Sequence, residues 1–170
     1  ILAHSSAFPP TDADRRRIAD DVRILNRADI LAAICARRPT VGIAGTHGKT
    51  TTTSMISEIM MAAGTDPTLS IGGILDSIGG NVRIGNSEYF AAEACEYTNS
   101  FLDMFPGIGI ILDIDADHLD FFKDLDDIRR SFRKFAQLIP ADGALIINTQ
   151  IPDYEEISGG LDCRVILYGP

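Results

Sequence analysis

One segment constrains this chain more than any other. Thr40-Val41-Gly42-Ile43-Ala44 is an apolar, partly β-branched run of the kind a buried strand requires, and Gly45-Thr46-His47-Gly48 breaks it. Lys49 and four threonines, Thr50 to Thr53, then open a helical stretch over residues 49–63 that Gly64 stops. A glycine loop between a strand and a helix is suited to anions. Its backbone N–H groups converge on phosphate oxygens, the helix N-terminus adds partial positive charge, and the lysine reaches the terminal phosphates. Gly45, Thr46, His47, Gly48, Lys49, Thr50 and Thr51 are therefore the candidate phosphate-binding residues, with the Thr50 hydroxyl able to ligate magnesium. A strict GxxxxGK[ST] pattern would need glycine at position 43, where Ile43 stands, so the flanking strand and helix carry the assignment. A glycine turn with a solvated lysine is the plainer alternative.

The rest of the chain repeats this alternation. Strands are predicted over residues 68–71, 89–92, 108–114, 144–148 and 164–168, and helices over 100–104, 124–138 and 153–157. Gly72-Gly73 and Gly79-Gly80 bracket a segment that reads as a flexible loop. Apolar strands alternating with amphipathic helices predict an α/β fold, a mostly parallel sheet with helices on both faces, P-loop NTPase-like, whose strand carboxyl ends carry the ligands. Upstream, Thr11 is expected to cap a basic helix reaching Asp20. A strand over 22–25, a helix over 28–36 and a boundary near Pro39 follow.

Two further clusters stand at predicted strand ends. Glu93-Ala94-Cys95-Glu96 places Glu93 nearest its strand, where a nucleotide enzyme needs a magnesium ligand or a base. Two surface acids are the ordinary alternative. Asp113-Ile114-Asp115-Ala116-Asp117-His118-Leu119-Asp120 crowds carboxylates and an imidazole together, with His118 the candidate cation ligand and a surface histidine the alternative.

GTHGKTTTTSM, the IGG and GGNVRIG loop, EACEYTNSFL and DIDADHLDFF together resemble the ATP-binding central domain of the Mur ligases. Within the family they are most similar to the members that join L-alanine to UDP-N-acetylmuramate. The resemblance implies that residues 1–38, with a His-Ser-Ser-Ala segment at His4, are the remnant of an amino-terminal UDP-binding domain. Residues 39–170 would be the central ATP-binding domain, with the carboxy-terminal amino-acid-binding domain absent. It implies Lys49 as the catalytic phosphate clamp, Thr50 as ligand of the magnesium on ATP, and Glu93 and His118 as catalytic ligands of a second magnesium. The implied reaction is ATP-driven amide formation in peptidoglycan precursor synthesis, through an acyl phosphate on UDP-N-acetylmuramate that L-alanine then attacks. Asp113 stands where the family usually has Asn, and Cys95 and Thr98 replace acids of the EADESD version.

Composition limits the alternatives. With 24 acidic against 15 basic residues and a net charge of -9, the average field repels nucleic acid and anionic membrane, so neither is an expected partner. A polyanion can still be captured locally, because net charge is screened over about 8 Å at physiological salt. Cys35, Cys95 and Cys163 form no CxxC pair, which favours a cytoplasmic location over a disulfide framework. No apolar run approaches the roughly 18 residues of a membrane span. Three other readings remain: a relative that recycles murein peptide, a nucleotide-binding switch module, and a scaffold that has lost its activity.

Overall fold

The computed structural model describes residues 1–4 and 8–170, so Ser5, Ser6 and Ala7 of the His-Ser-Ser-Ala segment lie outside the described residues. Two short strands, β1 (Leu2–His4) and β2 (Ile24–Asn26), pair in parallel as a small separate sheet. Helix α1 (Asp12–Arg15) lies between them, begun by a capping box in which Thr11 and Asp14 satisfy each other's backbone N–H groups. It is shorter than predicted, with turns occupying the stretch to Asp20. A second capping box, Asn26 with Asp29, starts α2 (Arg27–Cys35).

The main sheet has seven strands: β3 (Thr40–Ala44), β4 (Thr68–Leu75), β5 (Gly80–Arg83), β6 (Phe90–Glu93), β7 (Ile108–Ile111), β8 (Ala144–Asn148) and β9 (Arg164–Tyr168). Their order is β5-β4-β6-β3-β7-β8-β9, parallel throughout except for β5, which returns antiparallel along β4 at one edge. Helices α3 (Lys49–Ala62), α4 (Leu125–Gln137) and α5 (Tyr154–Ser158) make the connections.

Both faces are covered. On one, Leu69, Ile71 and Ala91 pack with Met60 and Met61 of α3. On the other, α4 buries Ile128, Ser131, Phe132, Phe135 and Ala136, the i, i+3, i+4, i+7, i+8 series of a helix with one apolar stripe. Phe101 joins them, stacked on Phe135 with centroids 5.0 Å apart and edge-on to Phe132 at 5.3 Å. That aromatic trio fastens the connection after β6 to the core.

Three predicted boundaries move. The segment around Gly72-Gly73 is the end of β4, and with a 3-10 turn over Asp76–Ile78 it forms a hairpin to β5. Glycine is needed there for contact, since a Cβ on Gly72 would stand 2.6 Å from Glu93 Oε2. The helix expected over 100–104 is a 3-10 segment, Tyr97–Asp103, kinked at Thr98 and Asn99, both with left-handed backbone. Strand β7 stops at Ile111, because the backbone beyond Leu112 turns to bond the loop after β3.

Candidate phosphate-binding site

The site forms where the sheet changes direction. From β3 the chain passes through α3 to β4 on one side, while β7 lies on the other, so the loops after β3, β6 and β7 open on one crevice. Register aligns them: Ile43 pairs with Glu93, and Ala44 with Ile111.

The first loop is built on its glycines. Gly45 has φ 145°, and a Cβ there would meet Asp113 Oδ1 at 2.7 Å; Gly48, the N-cap of α3, has φ 77°. Thr46 N–H donates to the Asp113 carbonyl at 3.3 Å, His47 N–H to Asp113 Oδ1 at 2.9 Å, and Asp115 N–H to Thr46 Oγ1 at 2.9 Å. Asp113 and Asp115 thus hold the loop in place. Thr50 and Thr51 are exposed on the first turn of α3.

Lys49 does not project into solvent, as a lysine awaiting a phosphate would be expected to. Its ammonium donates to the carbonyls of Gly45 at 2.5 Å and Thr46 at 3.1 Å, and to Glu96 Oε1 at 3.1 Å, with Glu96 Oε2 at 3.0 Å. Glu96 is 2% exposed, and its Oε2 has no aligned hydrogen-bond donor. A carboxylate this deep is stable only beside a cation, which explains why the lysine folds inward. Spacing ranks Glu96 behind Glu93; in the fold Glu96 is the deeper of the two and the one paired with Lys49.

Glu93 ends β6 and accepts the N–H of Gly72 on Oε1 at 2.5 Å. His118 has left-handed backbone (φ 53°), and its Nε2 lies 3.8 Å from Glu96 Oε1. The Tyr97 ring packs on the imidazole at 4.6 Å, and the Tyr97 hydroxyl donates to Asp120 Oδ2 at 2.9 Å, which with that carboxylate's charge raises the phenol pKa. His118 thus stands among Glu96, Tyr97 and Asp117, whose Oδ1 accepts the His118 backbone N–H at 2.7 Å, while Glu93 faces the β4 glycines. Burial pushes the neighbouring Cys95 thiol pKa up, away from nucleophile chemistry.

Among the described residues, one group of three could gather on a metal ion: His47, Asp113 and Asp115, with ligand atoms within 4.8 Å of one another. The carboxylate oxygens of Asp113 and Asp115 suit a hard cation, as do the Glu93 carboxylate and the Thr50 hydroxyl, whereas His47 and His118 would add an imidazole nitrogen. Glu96, Tyr97, Asp113 and Asp115 are the residues that sequence reasoning ranked low or passed over. A signal existed in their position just past strand ends that flank the glycine loop.

Residues 43–170 match the model of the Mur ligase middle domain. The chain is 52% identical over 171 residues to the UDP-N-acetylmuramate–L-alanine ligase of Lachnospira eligens, covering 99% of this chain and 37% of that protein. In fold it is similar to the UDP-N-acetylmuramate-alanine ligase MurC of Thermotoga maritima, with TM-score 0.78 and 25% identity, covering 99% of this chain and 38% of that one. It is also similar to the UDP-N-acetylmuramate:L-alanyl-gamma-D-glutamyl-meso-diaminopimelate ligase of Neisseria meningitides, with TM-score 0.79 and 25% identity, covering 88% and 52%. The chain thus spans just over a third of the length of its Lachnospira relative, and the glycine loop falls inside the matched region: this chain belongs to the Mur ligase middle domain family.

Proposed function

We propose that this chain is the ATP-binding part of a ligase that adds L-alanine to UDP-N-acetylmuramate in the cytoplasm, for peptidoglycan precursor synthesis. One observation carries the reading: a glycine loop with Lys49 stands between β3 and α3 at the switch point of a parallel sheet, in a chain 52% identical to an enzyme of that name. Residues 39–170 are then the nucleotide domain. Residues 1–38, with their separate β1–β2 pair, are the end of the UDP-binding domain.

In this reading residues Gly45 to Thr51 cradle the ATP phosphates, through the N–H groups that are not bonded to Asp113 and through the Lys49 ammonium once it leaves its resting partners. Both partners of the first step are anions, a carboxylate and a γ-phosphate, so catalysis rests on charge stabilisation. The carboxylate oxygen bonds the γ-phosphorus as ADP leaves; the alanine amine then attacks the acyl carbon, and phosphate departs with the proton that the nitrogen gives up. Thr50, Glu93 and His118 are the residues that would hold magnesium, whose charge offsets that of the phosphates. Lys49 and the loop groups fix the phosphates in line.

Calorimetry with Mg-ATP and a phosphate-release assay test the proposal. Binding without alanine-dependent turnover is expected of these 170 residues, and sustained turnover by them would refute the domain assignment. The fold is shared with a ligase that takes a tripeptide, so the full-length enzyme should be offered both acceptors. A preference for tripeptide over alanine would move the assignment to peptide recycling.

A further inference from the structure

Part of the phosphate-binding apparatus is already engaged by the protein's own carbonyls and carboxylates. An ammonium has three donors. On Lys49 they go to Gly45 O, Thr46 O and Glu96, so the resting lysine has none left for a phosphate. The loop N–H of His47 is likewise taken by Asp113 Oδ1. Glu96 and Lys49 are nearly enclosed, their side chains 3% and 16% exposed, so their attraction is poorly screened by water. The carbonyls of Gly45 and Thr46 bend the lysine back over the loop, and Glu96 supplies the charge that keeps it there.

We infer that Glu96 is a positioning residue that sets nucleotide affinity by acting as the resting counter-ion of Lys49, which a phosphate must displace before the lysine can serve. The inference rests on the nucleotide reading above. Such an exchange carries a cost. When the lysine turns away the buried carboxylate loses its cation, with Oε2 already lacking an aligned donor and His118 Nε2 3.8 Å from Oε1, and phosphate binding must offset that loss. The 3-10 segment that follows is anchored by Phe101, so Glu96 is held while Lys49 moves. The affinity of the site is thus the phosphate's attraction for Lys49 less that of Glu96.

A double-mutant cycle measured by calorimetry with Mg-ATP on this chain tests the inference. Glu96→Gln keeps the shape and removes the charge. It should tighten Mg-ATP binding about tenfold when Lys49 is present, a coupling of the size expected between contacting residues. In a Lys49→Met background the same change should shift affinity less than about twofold. In the full-length enzyme, Glu96→Gln should lower the KM for ATP about tenfold while kcat changes by less than about threefold, a split that simple loosening of the fold would not produce. Glu96→Asp, which draws the carboxylate back by one methylene, should tighten binding in the same direction but less, and it serves if the glutamine variant does not fold. Equal tightening in both backgrounds would mean plain repulsion of phosphate and would overturn the inference, as would no tightening at all. If the unaltered chain bound no Mg-ATP, the nucleotide reading would fall and this inference with it.

Discussion

A carboxylate that holds a divalent ion needs lone pairs to spare, and at this site the two candidate glutamates differ on that count. Glu93 gives one of its roughly four lone-pair sites to the Gly72 N–H, leaving the others for an ion. Glu96 is committed to Lys49. In the full-length enzyme Glu93→Ala and His118→Ala are each expected to depress turnover and raise the magnesium requirement. Their combined loss should be smaller than the product of the two, because residues serving one ion act as a unit. Magnesium titrations of the single and double variants check this; additive losses with an unmoved midpoint would leave both residues as structural groups. The glycines, Lys49 and the two acidic clusters were all legible in the sequence. Which glutamate turns inward was not, because that depends on the kinked turn at Thr98 and Asn99 and on partners far along the chain.

At the scale of elements, the β4–β5 hairpin is the part the sequence concealed. Gly72, Gly73, Gly79 and Gly80 suggest a loose loop, yet Asp66 pins the return of the chain. Its carboxylate accepts the backbone and side-chain N–H groups of Asn86, both at 2.9 Å, and pairs with Arg83. The Asn86 backbone hydrogen bond, followed by those of Arg83 and the Asn86 side chain, lowers the Asp66 pKa to about 2 from 3.8. A depressed carboxylate pKa contributes stability that is present above 3.8 and lost as pH falls through about 2. Hydrogen exchange of the β5 amides, followed against pH in the parent chain and in Asp66→Asn, should show greater protection in the parent at neutral pH. The gap should close on descending through about 2; a gap indifferent to pH would remove the carboxylate from the account. By contrast, β3, β8, β9 and α4 were legible because one periodicity dominates each. The end of β7 was not, since Leu112 and Ile114 prolong its apolar run while Asp113 bonds the neighbouring loop.

For the whole molecule, stability resides in the larger core cluster, which joins Cys35 of α2, the centre of the sheet, α4 and α5. Phe132 is fully buried within it, so Phe132→Ala should cost about 3–5 kcal/mol. The loss should appear as a lower denaturant midpoint at an unchanged slope. A cost below about 1 kcal/mol would show that the α4 face repacks. The order of the sheet also governs when the molecule becomes competent. Strand β3 comes early in the chain, but it is flanked by β6 and β7, so Val41 must wait for Ala91 and Ile108 to be made. Glu96 and Asp113, which restrain the glycine loop, are synthesised just as late. Contacts this distant in sequence close slowly. If the chain binds nucleotide as proposed, capture on a ribosome-bound chain would therefore begin only after β7 and Asp113 emerge, which makes ligand retention a gauge of when the central strands assemble during synthesis.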